Sequence, residues 1–256
     1  MKKFYSLYNI AKHPYLSKRA LYRKLEARET EKHKKRLSEY KNYQFVIRDV
    51  IKKITNDCGC WQTLIDVPHE NDIEAFYCHL DECSQCHPNY YRMSKSNIDT
   101  ILSVSLSTKP ETIIETGVAS GFSTASFPKA LNINKKGVLH SIDLHARSGV
   151  TFPENRQLGW VVPEDLKTRW TLYLGTSEKI LPDLLKQMNQ IDIFMHDSRH
   201  LYKTQMFEYT TAYPYIKPNG LLMSDDATAN DAFLDFADEI NKTPLILDNK
   251  IGIIQK

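Results

Sequence analysis

The stretch that decides the fold reads TIIETGVASGFST and spans residues 112–124. Its first four residues are an apolar run closed by an acid, which predicts a short buried strand. A turn with Gly117, Ala119 and Gly121 follows, and a helix is predicted from about Ser123. Small residues let the backbone approach a ligand, and the first turn of a helix offers free N–H groups. The stretch therefore predicts the ligand-binding turn of an α/β sheet.

The same alternation of strand and helix continues along the chain. Further strands are predicted at residues 137–143, 170–174, 191–197 and 221–226, and helices at 177–188, 201–213 and 229–241. Residues 244–248 and 251–255 predict a hairpin around the turn Asn249-Lys250. This alternation predicts an α/β fold, a doubly wound and mostly parallel seven-stranded sheet with a C-terminal antiparallel hairpin.

A basic helical segment over residues 1–56 precedes this region. Residues 1–53 carry 16 Lys and Arg against five Asp and Glu, a net charge of +11, whereas the remainder carries −8. Apolar residues spaced three and four apart from Leu37 to Ile54 predict an amphipathic helix that ends near Asn56. A solvated helix face explains this charge, and so does an anionic partner such as nucleic acid, a lipid surface or a phosphorylated glycan.

Residues 57–93 hold all five cysteines and are interpreted as an irregular, Cys/His-rich insertion. An odd number of cysteines indicates reduced thiols or metal ligands rather than a set of disulfides. Cys83 and Cys86 have the spacing of a zinc knuckle, and Cys58 and Cys60 could complete four ligands for a structural Zn²⁺. Reduced, partly buried thiols are the alternative.

The composition is that of a soluble globular protein, with 41% hydrophobic and 25% charged residues. No run of 18 apolar residues occurs, so no transmembrane helix is predicted. The first residues lack the apolar core of a signal peptide, because Asn9, Lys12 and His13 interrupt them, and a cytoplasmic location is predicted. A homo-oligomer is compatible with the sequence, which leaves the oligomeric state open.

Carboxylates end four of the predicted strands. They are Glu115, Asp143, Asp197 and the pair Asp225-Asp226. Each alone could cap a helix, but the carboxyl ends of parallel strands meet at one edge, and clustered like charges repel. We therefore expect a functional cleft at this edge. Asp143 lies 26 residues after Gly117, where an acid can accept hydrogen bonds from both hydroxyls of a ribose.

With these motifs in order, the chain resembles a known family. ETGVASGFST is similar to the first motif of class I S-adenosylmethionine-dependent methyltransferases, and the likeness extends through SIDLH, GTSEKILPDLL, IDIFMHDSRHLY and PNGLLMSDDA. It covers residues 94–256 and most resembles the branch of macrocin-type sugar O-methyltransferases and cephalosporin-hydroxylase-like proteins. The resemblance implies that residues 94–256 bind S-adenosylmethionine and methylate a hydroxyl of a sugar or another small or glycan-linked acceptor.

The resemblance also implies a role for individual residues. Glu115 would approach the amino group or ribose of the cofactor, Asp143 its ribose hydroxyls, and Asp197 its sulfonium. The implied cofactor-binding set is Glu115, Gly117, Ala119, Gly121, Ser123, Asp143, Thr176, Ser177 and Asp197. Trp160, in the long loop 145–169, either stacks on a sugar ring or anchors the loop to the core.

Sugar methyltransferases of this branch use a divalent metal, and the pattern of its ligands is met here by Asp197, Asp225 and Asp226, with His200 as the general base. Hard oxygen ligands suit Mg²⁺. A bound cation lowers the pKa of a coordinated hydroxyl, and a histidine can then take the proton, so Asp197 and His200 are the predicted catalytic residues. A helix cap formed by the acidic pair and a hydrogen-bonded His200 are the structural alternatives.

Two other functions are compatible with parts of the sequence. The basic arm favours an RNA-binding protein or an RNA methyltransferase, although no RNA-binding motif accompanies it. An NAD-type oxidoreductase or a hydroxylase-like enzyme could use the same sheet. The turn after the first strand lacks the spaced third glycine of G-x-G-x-x-G, which disfavours the oxidoreductase.

Overall fold

The computed structural model describes residues 47–55, 70–86, 93–144, 156–248 and 250–256. The basic arm up to residue 46 lies outside the described residues, and so do Cys58 and Cys60. The predictions of an anionic partner for the arm and of a four-cysteine zinc site therefore concern parts of the chain that are not described.

The strands form one seven-stranded sheet with the order β3-β2-β1-β4-β5-β7-β6. They are β1 (Thr112–Thr116), β2 (Val138–Asp143), β3 (Trp170–Leu174), β4 (Ile191–His196), β5 (Ile216–Ser224), β6 (Leu245–Leu247) and β7 (Ile251–Gln255). Strands β1 to β5 are parallel, and β7 runs antiparallel to both β5 and β6. The predicted fold is confirmed.

Helices cover both faces of the sheet. They are α1 (Ile47–Thr55), α2 (Glu70–Cys86), α3 (Lys95–Thr108), α4 (Phe122–Ile133), α5 (Ser177–Met188), α6 (Tyr202–Ala212) and α7 (Ala232–Glu239). Successive strand residues point to opposite faces, so Ile113 packs with α1, α3 and α4, whereas Ile114 packs with α5, α6 and α7. Burial of the sheet on both faces explains why its strands read as short continuous apolar runs.

Residues 70–86 form a helix, so the interpretation of residues 57–93 as irregular is wrong there. Ile73, Phe76 and Leu80 recur three and four residues apart, and the latter two are buried against α3 and the loop before β3. Charged residues and three cysteines lie between and after these apolar residues, so the periodicity is hard to recognise in the sequence. A single narrow apolar stripe is enough to dock a helix against a neighbour.

Most element boundaries agree with the predictions, and two differ. Strand β5 begins at Ile216 rather than at residue 221. Its pairing with β4 shifts in register between these two positions, and the shift accommodates Pro218 and Gly220. Helix α7 begins at Ala232 rather than 229. None of the helices in the described ranges has both the length and the apolar character that a membrane span requires.

Candidate active site

The loops at the carboxyl edge of the sheet enclose a cavity of about 500 Å³. Its wall contains residues 116–123, 142–144, 175–178 and 197–200, together with Met93, Thr204, Asp225, Asp226 and Lys250. The predicted cleft therefore lies where the sequence places it. Every predicted site residue of the sheet domain lines this cavity except Glu115.

The turn after β1 is held against the loop after β4. Gly117 adopts a φ of +89°, and a Cβ built there would lie 2.0 Å from the carbonyl oxygen of Asp197. Gly121 has a φ of +98°, and its Cβ would lie 2.8 Å from the Cα of Gly159. Only glycine fits at either position, because the backbone conformation and the neighbouring main chain both exclude a side chain. Packing within the protein thus requires these glycines even before a ligand binds.

Asp143 connects the end of β2 to this turn. Its Oδ2 accepts hydrogen bonds from the backbone N–H groups of Val118 and Ala119 at 3.0 and 2.9 Å, and its Oδ1 accepts one from Leu144 at 2.5 Å. The side chain is 6% exposed and faces the cavity. The carboxylate is therefore fixed in orientation at the place where the sequence predicts a ribose contact.

Glu115 lies behind the cavity wall, beneath the turn. It is fully buried, and its Oε2 accepts hydrogen bonds from Thr124 Oγ1 at 2.8 Å and Ser141 Oγ at 2.7 Å. Burial raises its pKa to about 7, against the lowering effect of the hydroxyl groups that donate to it. Its Oε1 has no hydrogen-bond partner among the described residues. Contact between Glu115 and a cofactor stays a prediction that this placement outside the wall does not favour.

Asp197, His200 and Asp225 form a cluster with the chemistry of a metal site. One ligand atom from each lies within 4.8 Å of the others, and this is the one such group of His, Cys, Asp and Glu among the described residues. Burial and the charges of Asp225 and Glu115 raise the pKa of Asp197 well above its ordinary value. Two crowded carboxylates and an imidazole are donors that suit a divalent cation, so the residues present fit the predicted metal.

The side chains that group most closely differ from the predicted ligand set in one residue, and that set stays a prediction. His200, rather than Asp226, groups with Asp197 and Asp225. Asp226 also lines the cavity, but its carboxylate faces His200 Nε2 at 3.4 Å and Lys250 Nζ at 3.6 Å. Asp226 does not cap α7, because that helix begins only at Ala232.

The side chain of His200 is a neutral imidazole at neutral pH. Burial, reinforced by the nearby His196, lowers its pKa to about 4. Its Nδ1 is buried and has no hydrogen-bond partner within the described part of the chain. A neutral imidazole beside a carboxylate can accept a proton, because Asp226 would stabilise the imidazolium that results.

A buried acid that the sequence analysis missed supports the loop 197–200. Glu208 on α6 is fully buried, and it accepts hydrogen bonds from Thr116 Oγ1 at 2.5 Å and Ser198 Oγ at 2.8 Å. His196 Nδ1 lies 2.6 Å from its Oε2. Although burial opposes its charge, the pairing with His196 holds the pKa of Glu208 below its ordinary value. Nothing in the local pattern of α6 distinguishes Glu208 from a solvated helix residue.

Two further residues that the sequence analysis did not assign contact Asp225. Asn97, near the start of α3, is 2% exposed and donates from Nδ2 to Asp225 Oδ1 at 3.4 Å. Lys250, which the pattern identifies only as a turn residue, places its Nζ 3.4 Å from Asp225 Oδ2. Both come from elements distant in sequence, so no motif could reveal them.

The loop before β3 packs on the turn after β1. Gly159 and Val161 donate backbone hydrogen bonds to Ala119 and Ser120 at 2.9 and 3.0 Å. Trp160 is absent from the cavity wall and packs instead with the core beside α2, with Arg156 5.4 Å from its ring. Trp160 therefore anchors the loop, and the prediction that it stacks on a sugar is not favoured.

Among the described residues, no second pair of metal-binding side chains lies beside the cysteines of α2 to form a zinc site. Cys78 and Cys86 are exposed, and Cys83 Sγ lies 3.7 Å from His79 Nε2. That histidine nitrogen also lies 2.8 Å from the carbonyl oxygen of Val161. The structural Zn²⁺ stays a prediction that concerns residues outside the described ranges.

The oxidoreductase alternative would need a catalytic pair such as Tyr-x-x-x-Lys beside the cofactor, and the cavity wall among the described residues contains none. Tyr213 and Lys217 have the spacing Tyr-x-x-x-Lys, but they lie at the amino end of β5, at the edge of the sheet opposite the cavity. Lys217 pairs there with Asp192, at 2.9 Å. A catalytic tyrosine and lysine would have to face the cofactor.

One protein family matches part of the sequence. The model of a family described as a methyltransferase domain matches residues 114–227. No curated protein matches the sequence.

Solved structures with the same fold include three methyltransferases or proposed methyltransferases. The SAH-bound methyltransferase PaMTH1 from Podospora anserina is 14% identical, with a TM-score of 0.52 over 73% of this chain and 95% of its own. A proposed caffeoyl-CoA O-methyltransferase from Staphylococcus aureus is 15% identical, with a TM-score of 0.53 over 76% and 98%. A proposed O-methyltransferase from Klebsiella pneumoniae is 13% identical, with a TM-score of 0.51 over 81% and 98%.

At such identities the structural likeness establishes the fold alone. The family model adds a match to the sequence itself, and it spans the turn after β1, Asp143, the loop 197–200 and the acidic pair after β5. Residues 114–227, which carry most of the cavity wall, therefore match the methyltransferase domain family within a chain that has the fold of known methyltransferases.

Proposed function

We propose that this protein is an S-adenosylmethionine-dependent methyltransferase that methylates a hydroxyl group of a sugar or of another small or glycan-linked acceptor. One observation carries the proposal: a cluster of carboxylates and an imidazole adjoins the turn that would hold the cofactor. Asp197 belongs to both, since its backbone contacts Gly117 and its side chain joins the cluster with His200 and Asp225. An acceptor bound at the cluster would thus meet a methyl group presented from the turn.

The cofactor would lie along the turn after β1 and the ends of β2 and β3. The backbone of residues 117–121 would approach its methionine part, and Asp143 would accept hydrogen bonds from its ribose hydroxyls. Thr176 and Ser177 line the cavity at the start of α5, where the adenine would lie. The family match over residues 114–227 and the SAH held by the Podospora protein support this choice of cofactor.

Asp197 and Asp225 would hold a divalent cation such as Mg²⁺, with His200 beside them. A cation there would lower the pKa of the acceptor hydroxyl. S-adenosylmethionine, when bound, would supply the methyl group for the acceptor oxygen and would leave as the neutral thioether. His200 takes the hydroxyl proton at Nε2, and Asp226 stabilises the imidazolium at 3.4 Å.

Calorimetric titration with S-adenosylmethionine tests the cofactor, in the presence of Mg²⁺ and again with EDTA. We expect micromolar binding by the wild-type protein and a loss of about 100-fold in Asp143→Ala, because two hydrogen bonds to a charged acceptor disappear. Asp183→Ala, a substitution on the exposed face of α5, is the matched control and should bind normally. Absence of binding to the wild-type protein under both conditions would refute the proposal.

A further inference from the structure

Lys250 brings a positive charge into the acidic cluster. Its Nζ lies 3.4 Å from Asp225 Oδ2 and 3.6 Å from Asp226 Oδ1, and the side chain is about one-third exposed. The backbone around it is fixed, because its N–H donates to Leu247 and its carbonyl accepts from Ala227 at 2.8 Å. The turn between β6 and β7 thus holds the ammonium group at the cavity wall.

Asp225 is occupied on both oxygens in this arrangement. Asn97 Nδ2 donates to Oδ1 at 3.4 Å, and the ammonium of Lys250 lies beside Oδ2. A divalent cation bound by Asp225 would lie about 2–2.5 Å from one of these oxygens. If Lys250 stayed beside Oδ2, two positive charges would share one carboxylate at close range, where their repulsion is strong.

We infer that Lys250 is a resident counter-ion of the acidic cluster, and that a divalent cation binds Asp225 only by displacing the ammonium toward Asp226. The inference rests on the proposed metal site. Asp226 already contacts the ammonium, so the displacement needs a shift of the side chain alone. Lys250 therefore balances the carboxylates while the metal is absent and weakens metal binding. In this arrangement Asp226 receives the displaced ammonium.

Titration of Mn²⁺ into the purified full-length protein, followed by electron paramagnetic resonance of the free ion, tests the inference without an activity assay. Lys250→Met removes the charge and keeps the length of the side chain. We expect it to bind Mn²⁺ at least tenfold more tightly than the wild-type protein, whereas Lys250→Arg, which keeps the charge, should stay within about threefold. Lys186→Met, at the far end of α5, controls for net charge.

The outcomes separate this inference from the proposals on which it rests. Equal or weaker Mn²⁺ binding by Lys250→Met would overturn the role of Lys250 and leave the metal site standing. Failure of every variant to bind Mn²⁺ would overturn both, while titration with S-adenosylmethionine still tests the cofactor. Binding by Lys250→Met but not by the wild-type protein would support the inference. Lys250→Gln provides a second uncharged variant if Lys250→Met does not fold.

Discussion

At the scale of single residues, charge and burial decide what the site can do. Asp197, Asp225 and Asp226 come together at one edge of the sheet, and each was predictable as the end of a strand. Their crowding shows in the pKa of Asp225, which burial and the charge of Asp226 raise. Such a cluster needs cations, and the chain supplies one of them itself as Lys250.

Glu115 makes the stability depend on pH in the direction opposite to most acids. Its pKa is about 7 in the folded protein and near 4.5 when unfolded, so the folded state binds more protons between these values. The contribution of Glu115 to stability is therefore greatest below pH 4.5 and is lost as the pH rises through 7. We expect Glu115→Gln to remove this dependence and to raise the free energy of unfolding at pH 8 by up to about 3 kcal/mol.

Urea unfolding of the cofactor-free protein at pH 5.5 and 8 measures this effect. Glu111→Gln, an exposed acid just before β1, is the control and should change the pH dependence little. If Glu115→Gln were equally destabilised at both pH values, the buried carboxylate would be ionised throughout the range.

His200 governs the proton transfer in the proposed reaction. We expect His200→Ala to lower kcat by about 10²–10⁴ while binding of S-adenosylmethionine changes little, because a general base acts on the acceptor. Since its pKa is lowered to about 4, the acid limb that His200 contributes to the pH profile should lie below pH 6. His140→Gln is the control, because that imidazole pairs with Tyr173 outside the cavity wall.

Two results would contradict this role. A loss of kcat smaller than tenfold would make His200 a structural residue. A large loss of Mn²⁺ affinity in His200→Ala would instead assign it as the third metal ligand, as its grouping with Asp197 and Asp225 allows.

At the scale of elements, the Glu208 carboxylate of α6 binds both the end of β1 and the loop after β4. Glu208 bonds to Thr116, which ends β1, and to Ser198, which lies between Asp197 and His200. Movement of either loop would break a buried hydrogen bond. The cofactor turn and the acidic cluster are therefore held in a fixed relation by α6, which also contributes Thr204 to the cavity wall.

We expect Glu208→Ala to lower the free energy of unfolding by about 3 kcal/mol, because it leaves His196 and two hydroxyls without their buried partner. Binding of S-adenosylmethionine should weaken as well, since Thr116 leads directly into Gly117. Chemical denaturation and calorimetry measure the two effects. Glu239→Ala on the exposed end of α7 should change neither, and an unchanged affinity in Glu208→Ala would limit that residue to a role in folding.

The structure also shows which elements a sequence can reveal. Strands β1 to β4 and helices α4, α5 and α6 were predictable, because short apolar runs and glycine turns are local signals. Helix α2 was not, since its narrow stripe of Ile73, Phe76 and Leu80 lies among charged residues and cysteines. The contacts of Glu208, Asn97 and Lys250 depend on side chains brought together from distant parts of the chain, which periodicity does not encode.

At the scale of the whole molecule, the sheet order explains why the site forms where it does. The order reverses between β1 and β4, and the loops that leave these two strands at the carboxyl edge diverge to either side. The cavity lies at this point, with the cofactor turn on one side and the acidic cluster on the other. Because the direction of the strands was predictable, so was the edge of the sheet at which the cavity lies, whereas the strand order and the detailed wall were not.

The position of β7 between β5 and β6 has a consequence for the order of folding. Within the described residues, β6 pairs with β7 alone, so it can join the sheet only once β7 has docked on β5. The hairpin should thus open and close as one unit, apart from the parallel strands. Because Lys250 belongs to this hairpin, any such opening would carry its ammonium away from Asp225 and Asp226, so the hairpin and the charge balance of the site are coupled.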